Sequence, residues 1–402
     1  MEKRFKVTTI SQYLDVIREN NFSEYIYRGQ NEAYYGIEAS GFRPYKGGWN
    51  SDVFYNIDEM KKEYYYKVIR RITSDEKVHF LAFCQHHGLP TNLVDFTTSP
   101  LIALFFACSG KTSSNSTSAE IYLLGKQRLV DITDLITDYP NQNFFDLLCF
   151  DKEFQRKILS KLEYLFEKNK VEYITWIDNL IGSYINNKMN LYGEPIGSED
   201  DDLEEGEEEG ESFEDIPNLI NYKGKIKDDS DNTIRDLYYY LLNEIEDETL
   251  TYSDVYYLED FEIIGELTTN VGARIYLVLL VNLLRIAYEV GERLLLELDI
   301  YFIYQPPNLF DRIVNQRGLF IYQPYIYSVE TTYNFGILNY QSIIPDYIIE
   351  IEQYETILEE LNILGINLES IYGDFDNIAK SIKYNNDLSL KKRKQLYNKK
   401  RI

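Results

Sequence analysis

The chain's three histidines, His79, His86 and His87, fall within nine positions, and Asp95, Thr97, Thr98 and Ser99 follow within the next twelve. Imidazole is the side chain that changes charge near neutral pH, so such a cluster beside a carboxylate could move a proton. His79 and His86 are seven apart and share a face if the segment is helical, but the spacing fits no zinc signature, and no metal is expected. His86, followed by His87-Gly88, reads as a hydrogen-bonding or acid–base element near Asp95, and a satisfied structural histidine is expected for at least one of the three. Thr97-Thr98-Ser99-Pro100 opens an apolar helix. Free backbone N–H groups, three hydroxyls and the helix dipole would suit a phosphate or a ribose there, whereas plain capping is the simpler role for Ser99.

Upstream, Arg28 follows the apolar Tyr25–Tyr27 and precedes Gly29. A guanidinium at the end of a buried strand needs a carboxylate or a phosphate to fill its planar fork. An internal ion pair, for example with Asp95, is the structural reading, and an anionic ligand is the functional one. Gln30 and Glu38 are near enough in sequence to share that pocket, and Glu38, between Ile37 and Ala39, is expected to be half-buried. Gln316, at the close of a short helix, can donate and accept but cannot take a proton; capping the following glycine turn is its alternative role. Tyr27 and Tyr322 are candidate stacking rings.

These groups need a scaffold. Tyr25–Tyr27 is expected as a strand ending in a turn at Arg28-Gly29, and Val53 to Ile72 has helical spacing. Ser74 with Asp75 and Glu76 reads as a helix start, for a helix carrying Val78, Leu81, Ala82 and Gln85 on one face and stopping at Gly88. Ser99-Pro100 starts a buried helix, Leu101–Cys108, and Ala119–Leu124 reads as a strand. Residues 125–300 are helical in texture, with periodicity from Phe261 towards Leu298. Tyr301–Tyr304, Leu319–Tyr322 and Tyr347–Ile351 follow as strands, Asn308 is expected to cap a short helix ending at Gly318, and Tyr354–Leu361 and Phe375–Ile382 have helical spacing. The expected class is α+β: a small mixed sheet with flanking helices built from residues 1–124 and 301–402, interrupted by a mostly helical insertion, 125–300.

Composition sets the outer bounds. The 402 residues are 44% hydrophobic and carry a formal charge of −25. Glu199 to Asp215 holds twelve acids and no base, which reads as a solvated loop. The last 23 residues hold nine bases against Asp387, a tail expected as a solvent-facing terminal helix. Nucleic acid is therefore expected as a partner only through that tail. The longest apolar run, Ile275 to Leu284, is too short to span a bilayer, MEKRFKVTTI has no apolar leader core, and Cys84, Cys108 and Cys149 each sit among apolar residues. A cytoplasmic protein without membrane contact is expected.

Tyr27-Arg28-Gly29-Gln30, together with the run Gln85-His86-His87-Gly88-Leu89-Pro90-Thr91 through Asp95, Thr97 and Ser99-Pro100, resembles the FRG domain family. That family also tends to carry an R-I-x-x-Q-x-G-x-F element, here Arg312 to Phe320. Its closing turns are echoed by Leu364-Gly365-Ile366 and Tyr372-Gly373-Asp374-Phe375. Asn92 stands where the family usually has arginine, and Phe96 where it usually has tryptophan. The resemblance implies a bacterial or phage-conflict effector, since such domains are common in bacteria and their mobile elements.

The order of elements is also similar to that of ADP-ribosyltransferases. An early basic strand residue and later hydroxyls then hold NAD, and a late carboxylate steers the departing ribose. Gln316 occupies that last slot, so Glu38 or another acid would have to supply the carboxylate. The reading therefore comprises Arg28, His86, Glu38 and Gln316 as catalytic candidates, with Arg28, Gln30, Thr97, Thr98, Ser99, Asp95 and Tyr27 holding NAD. The alternative is a non-catalytic module that senses a nucleotide or docks a protein through the helical insertion.

Overall fold

The computed structural model describes residues 3–32, 36–43, 54–110, 118–192, 236–237, 270–290, 296–307, 309–329 and 336–399. Ten strands are present: β1 (Lys3–Val7), β2 (Tyr25–Gln30), β3 (Leu93–Thr97), β4 (Ala119–Gly125), β5 (Leu129–Asp131), β6 (Tyr301–Tyr304), β7 (Gly318–Tyr322), β8 (Tyr325–Val329), β9 (Gly336–Tyr340) and β10 (Tyr347–Ile351). Eight of them form one mixed sheet in the order β1-β10-β4-β2-β3-β7-β6-β5, and β8 and β9 pair separately. The class is α+β, as expected, although the sheet is larger than the small one anticipated. Its far edge, β5, comes from residues assigned to the insertion, where it runs parallel to β6.

The sheet is nearly split. β2 pairs with β4 along its whole length, from Tyr25 opposite Gly125 to Gln30 opposite Glu120, and β3 pairs with β7 from Leu93 to Thr97. Between β2 and β3, however, the described residues give a single register pair, Tyr27 opposite Thr97. Two four-stranded halves thus meet at one rung, and the backbone flanking Arg28 and Asp95 faces a seam.

Alternation of side chains decides what covers each face. On one face Tyr27, Ile121, Leu123, Ile349 and Ile351 pack against helices Ile10–Glu19, Pro100–Cys108 and Tyr354–Ile363. On the other, Ile26, Val94, Phe96, Tyr122 and Leu124 pack against Ile37, Ala39, Phe42 and Tyr325. Helices Lys152–Lys168, Glu172–Tyr192 and Val271–Val290 form the helical body, whose core runs without interruption into Phe302, Tyr304, Phe320 and Tyr322 of the sheet. The acidic stretch 199–215, Asn308, Phe261 and residues Lys400 and Arg401 lie outside the described residues. Helix Phe375–Lys399 carries the basic stretch, largely exposed.

Three local expectations change. The strand at Tyr25 does not turn at Arg28 but continues to Gln30, because β4 supplies backbone partners that far. The helix expected from Ser74 is capped by Thr73, whose hydroxyl accepts from Glu76 N–H while the Glu76 carboxylate accepts from Thr73 N–H. That helix is then broken at His79 (φ −102°, ψ 37°) into Ser74–Val78 and Phe80–His86. The cause is burial of the imidazole, whose Nδ1 lies 2.9 Å from the Tyr304 hydroxyl. Gly88, at φ +81°, closes the second piece in the left-handed conformation that glycine adopts without strain.

A buried amide ties the loop before Ser40 to the sheet. Gln323, fully buried, accepts from Ala39 N–H at 3.0 Å and donates to the Gln341 carbonyl at 2.7 Å. Gln323→Leu leaves both backbone groups without that partner, and chemical denaturation should show a loss of about 2 kcal/mol.

Candidate functional site

Tyr27 and Gly29 face helix Pro100–Cys108, so Arg28 and Gln30 must point the other way. The helix comes so close that a Cβ on Gly29 would lie 1.9 Å from the Ala103 carbonyl oxygen. From the opposite face Arg28 reaches across the seam, and its Nη1 donates to the Asp95 main-chain carbonyl at 2.8 Å. The ion pair considered for these two residues is therefore not formed. The Asp95 carboxylate, on the other face of β3, accepts instead from Gln85 Nε2 at 3.0 Å. Thr91 fixes that amide by donating its hydroxyl to Gln85 Oε1 at 2.6 Å.

Burial pushes the Arg28 guanidinium below its ordinary pKa; the charge of Asp95 works against the shift and that of Arg43 adds to it. Arg28 Nε is buried without a hydrogen-bond partner among the described residues, and so is Gln30 Nε2. Beside them on the same face stand Tyr122, opposite Arg28, and Glu120, opposite Gln30. Glu120 is 5% exposed and accepts from the Tyr122 hydroxyl at 2.6 Å and from Arg4 Nη1 at 3.0 Å. Burial, reinforced by that carboxylate, raises the Tyr122 hydroxyl well above the ordinary phenol range.

On the Asp95 side of the sheet lies a cleft of about 80 Å³, lined by Gln85, His86, Asp95, Arg312, Gln316 and Phe320 among others. His86 stacks flat on Phe310, with centroids 4.0 Å apart and planes 2° apart. Burial, and then the charges of His87 and Arg312, lower its pKa and favour the neutral ring. Gln316 lines the cleft with its Nε2 buried and unpartnered, while its backbone carbonyl accepts from the Thr97 hydroxyl at 2.7 Å.

The structure thus brings Asp95, His86, Gln316 and Thr97 together on one face, with Arg28 reaching the Asp95 backbone from the other face, and leaves other candidates out. The Thr97 hydroxyl is committed, since it also accepts from Ser99 N–H at 3.0 Å. Ser99 is the N-cap of helix Pro100–Cys108 by position, but its hydroxyl makes no capping bond, and its own N–H donates to the Thr97 hydroxyl. Thr98 is exposed, with its N–H bonded to the Arg317 carbonyl at 3.1 Å. Tyr27 is 1% exposed and its hydroxyl donates to the Phe22 carbonyl, so the ring has no free face for a ligand; Tyr322 is likewise buried. Glu38 belongs elsewhere: it accepts from the Tyr340 hydroxyl at 3.0 Å in a separate cleft of about 280 Å³ that also involves Gln323 and Ser342.

Sequence reasoning overlooked Gln85, Arg312 and Glu120 as site residues. Glu120 had a legible signal, one acid inside the otherwise apolar Ala119–Leu124. Arg312 stood in a quoted motif without a role, and its guanidinium now sits 5.1 Å from the Tyr372 ring centroid at the cleft. Among the described residues no group of three or more His, Cys, Asp or Glu could hold a metal ion, and no helix is long and apolar enough to cross a membrane.

Residues 23–116 match the family model described as FRG domain. No curated protein matches the chain, and no solved structure matches it.

Proposed function

We propose that this protein, which carries an FRG domain over residues 23–116, binds a nucleotide of the NAD class at the seam between its half-sheets. One observation carries the reading: at the seam, Arg28 Nε and Gln30 Nε2 on one face of the sheet and Gln316 Nε2 in the cleft on the Asp95 face are buried donors without acceptors among the described residues. Folded proteins leave few such donors unpaired, and a cluster of them suits an acceptor-rich ligand such as a phosphate, a ribose or a carboxamide. In this reading Arg28 and Gln30 meet anionic or carbonyl oxygens, Asp95 accepts from ribose hydroxyls, and Gln316 donates to a ring substituent. A cleft of about 80 Å³ has room for roughly five to eight waters, which is one ring and not a whole dinucleotide. The remainder of the ligand therefore lies outside it, towards Arg312.

Glu38 is no longer the acid of choice for a transfer reaction. Glu120 shares a face with Arg28 and is the buried carboxylate best placed to serve.

The test is direct. Full-length protein is titrated calorimetrically with ADP-ribose, and nicotinamide release from NAD is followed in parallel. Binding that Gln316→Ala weakens at least tenfold supports the site, and release that Glu120→Gln abolishes makes it catalytic. Binding without release makes the protein a nucleotide-sensing module. If neither ligand binds at millimolar concentration, the proposal is wrong.

A further inference from the structure

A cleft of about 520 Å³ lies away from the seam and falls in the size range of sites for small organic ligands. One wall is helix Ile57–Val68, which contributes Asp58, Lys61, Lys62, Tyr65 and Tyr66. The other is the stretch Asn141–Asp146, entered through Asn141 in the left-handed region at φ 67°.

Buried Tyr325 clamps the two walls together. Its hydroxyl donates to Asp58 Oδ1 at 2.7 Å, and its carbonyl accepts from Asn143 Nδ2 at 3.0 Å. Asn143 in turn caps helix Phe144–Phe150 through its Oδ1. The cleft is thus built from the core outward, and the positions of its walls are set by hydrogen bonds.

Its charges are unevenly satisfied. Asp58 Oδ1 also takes Lys61 Nζ, at 3.2 Å, so that lysine is committed to its own helix. Lys62 stands exposed at the rim. Asp146 makes no side-chain hydrogen bond or ion pair among the described residues. It sits in the first turn of a helix, where the dipole ordinarily stabilises a carboxylate. It is exposed at the mouth of the cleft, where partial desolvation, and secondarily the charge of Asp58, push its pKa up to about 6. The groups facing it from the opposite wall are Asp58, Lys61, Lys62, Tyr65 and Tyr66, and from its own stretch only the amides Asn141, Gln142 and Asn143.

We infer that this cleft binds a small organic ammonium ion, with its charged end between Asp146 and Asp58 and its apolar body against Tyr65 and Tyr66. An ammonium would replace solvent on the exposed Asp146 carboxylate with a positive charge and N–H donors, and tyrosine faces attract cations as well as flat apolar groups. The inference is independent of the nucleotide reading, because none of these residues lines the seam cleft.

Tyramine, with p-cresol and 4-hydroxyphenylpropionate as its neutral and anionic matches, is the probe, titrated into the full chain at pH 7.5. Tyramine should bind at least tenfold more tightly than either match. Asp146→Asn should lose at least tenfold in tyramine affinity while melting at a higher temperature than the wild type, a pairing that misfolding cannot produce. Equal binding of the three probes, no binding of tyramine, or unchanged tyramine affinity in Asp146→Asn would each overturn the assignment.

Discussion

Gly29→Ala will lower the free energy of unfolding by about 3 kcal/mol or more, read by chemical denaturation. The new methyl carbon would lie 1.9 Å from the Ala103 carbonyl oxygen, 2.7 Å from Ala107 N and 2.9 Å from the Ala103 carbonyl carbon. All three are backbone atoms of helix Pro100–Cys108, so no side chain can turn aside. Relief requires the helix to lift from β2, and that would unpack Ile102, Ala103 and Ala107 from Tyr27 and Ile121. Since the helix packs mainly on β2 and only slightly on β3, the lift would also disturb the seam. Gly36→Ala is the control: its Cβ would meet only the Glu38 side chain, at 3.9 Å, and stability should hold within about 0.5 kcal/mol. Equal stability of Gly29→Ala and wild type would show that the close approach is not a constraint.

Arg28→Met separates ligand binding from stability in the opposite sense. Removing the side chain forfeits one hydrogen bond, to the Asp95 carbonyl, which as a charged donor contributes about 1.5–3 kcal/mol. It also removes a desolvated cation whose described residues include no salt-bridge partner, and replacing such a charge by an apolar group of similar length is often neutral or favourable. The two terms offset, so the unfolding free energy should stay within about 1 kcal/mol of the wild type. Affinity for ADP-ribose, in contrast, should fall at least about a hundredfold, on the order of 2.7 kcal/mol. Arg28→Lys should lose nearly as much, because an ammonium cannot reproduce the planar fork. A Met variant that unfolds readily yet binds normally would make Arg28 a brace across the sheet and nothing more.

The class and most of the strands were legible because their signals are local: apolar runs at Tyr301–Tyr304 and Tyr347–Ile351, a proline opening Pro100–Cys108, a glycine after His86. The site was half legible. Arg28, Asp95, His86 and Gln316 were recognisable by residue type at motif positions, and they do converge. What was hidden depends on pairing between distant segments. Whether Tyr27 or Arg28 faces a helix follows from where that helix lies, so Tyr27 looked available when it is core. Glu38 looked close to Arg28 because a separation of only ten positions suggested a shared pocket, whereas its hydroxyl partner is Tyr340, on β9. Ser99 is the N-cap of Pro100–Cys108 by position, as expected, but that its hydroxyl makes no cap bond while Thr97 ties to the distant Gln316 carbonyl was not legible locally.

The strand order has a practical corollary for anyone cutting the gene. The segment 23–116 contains β2 and β3, yet the long-edge partners of those strands are β4, at 119–125, and β7, at 318–322. Expressed alone, that stretch would present two strand edges stripped of their partners and a bare apolar helix, and it should precipitate where the entire polypeptide does not. Swapping this module between proteins therefore demands transplanting its far-off neighbours with it.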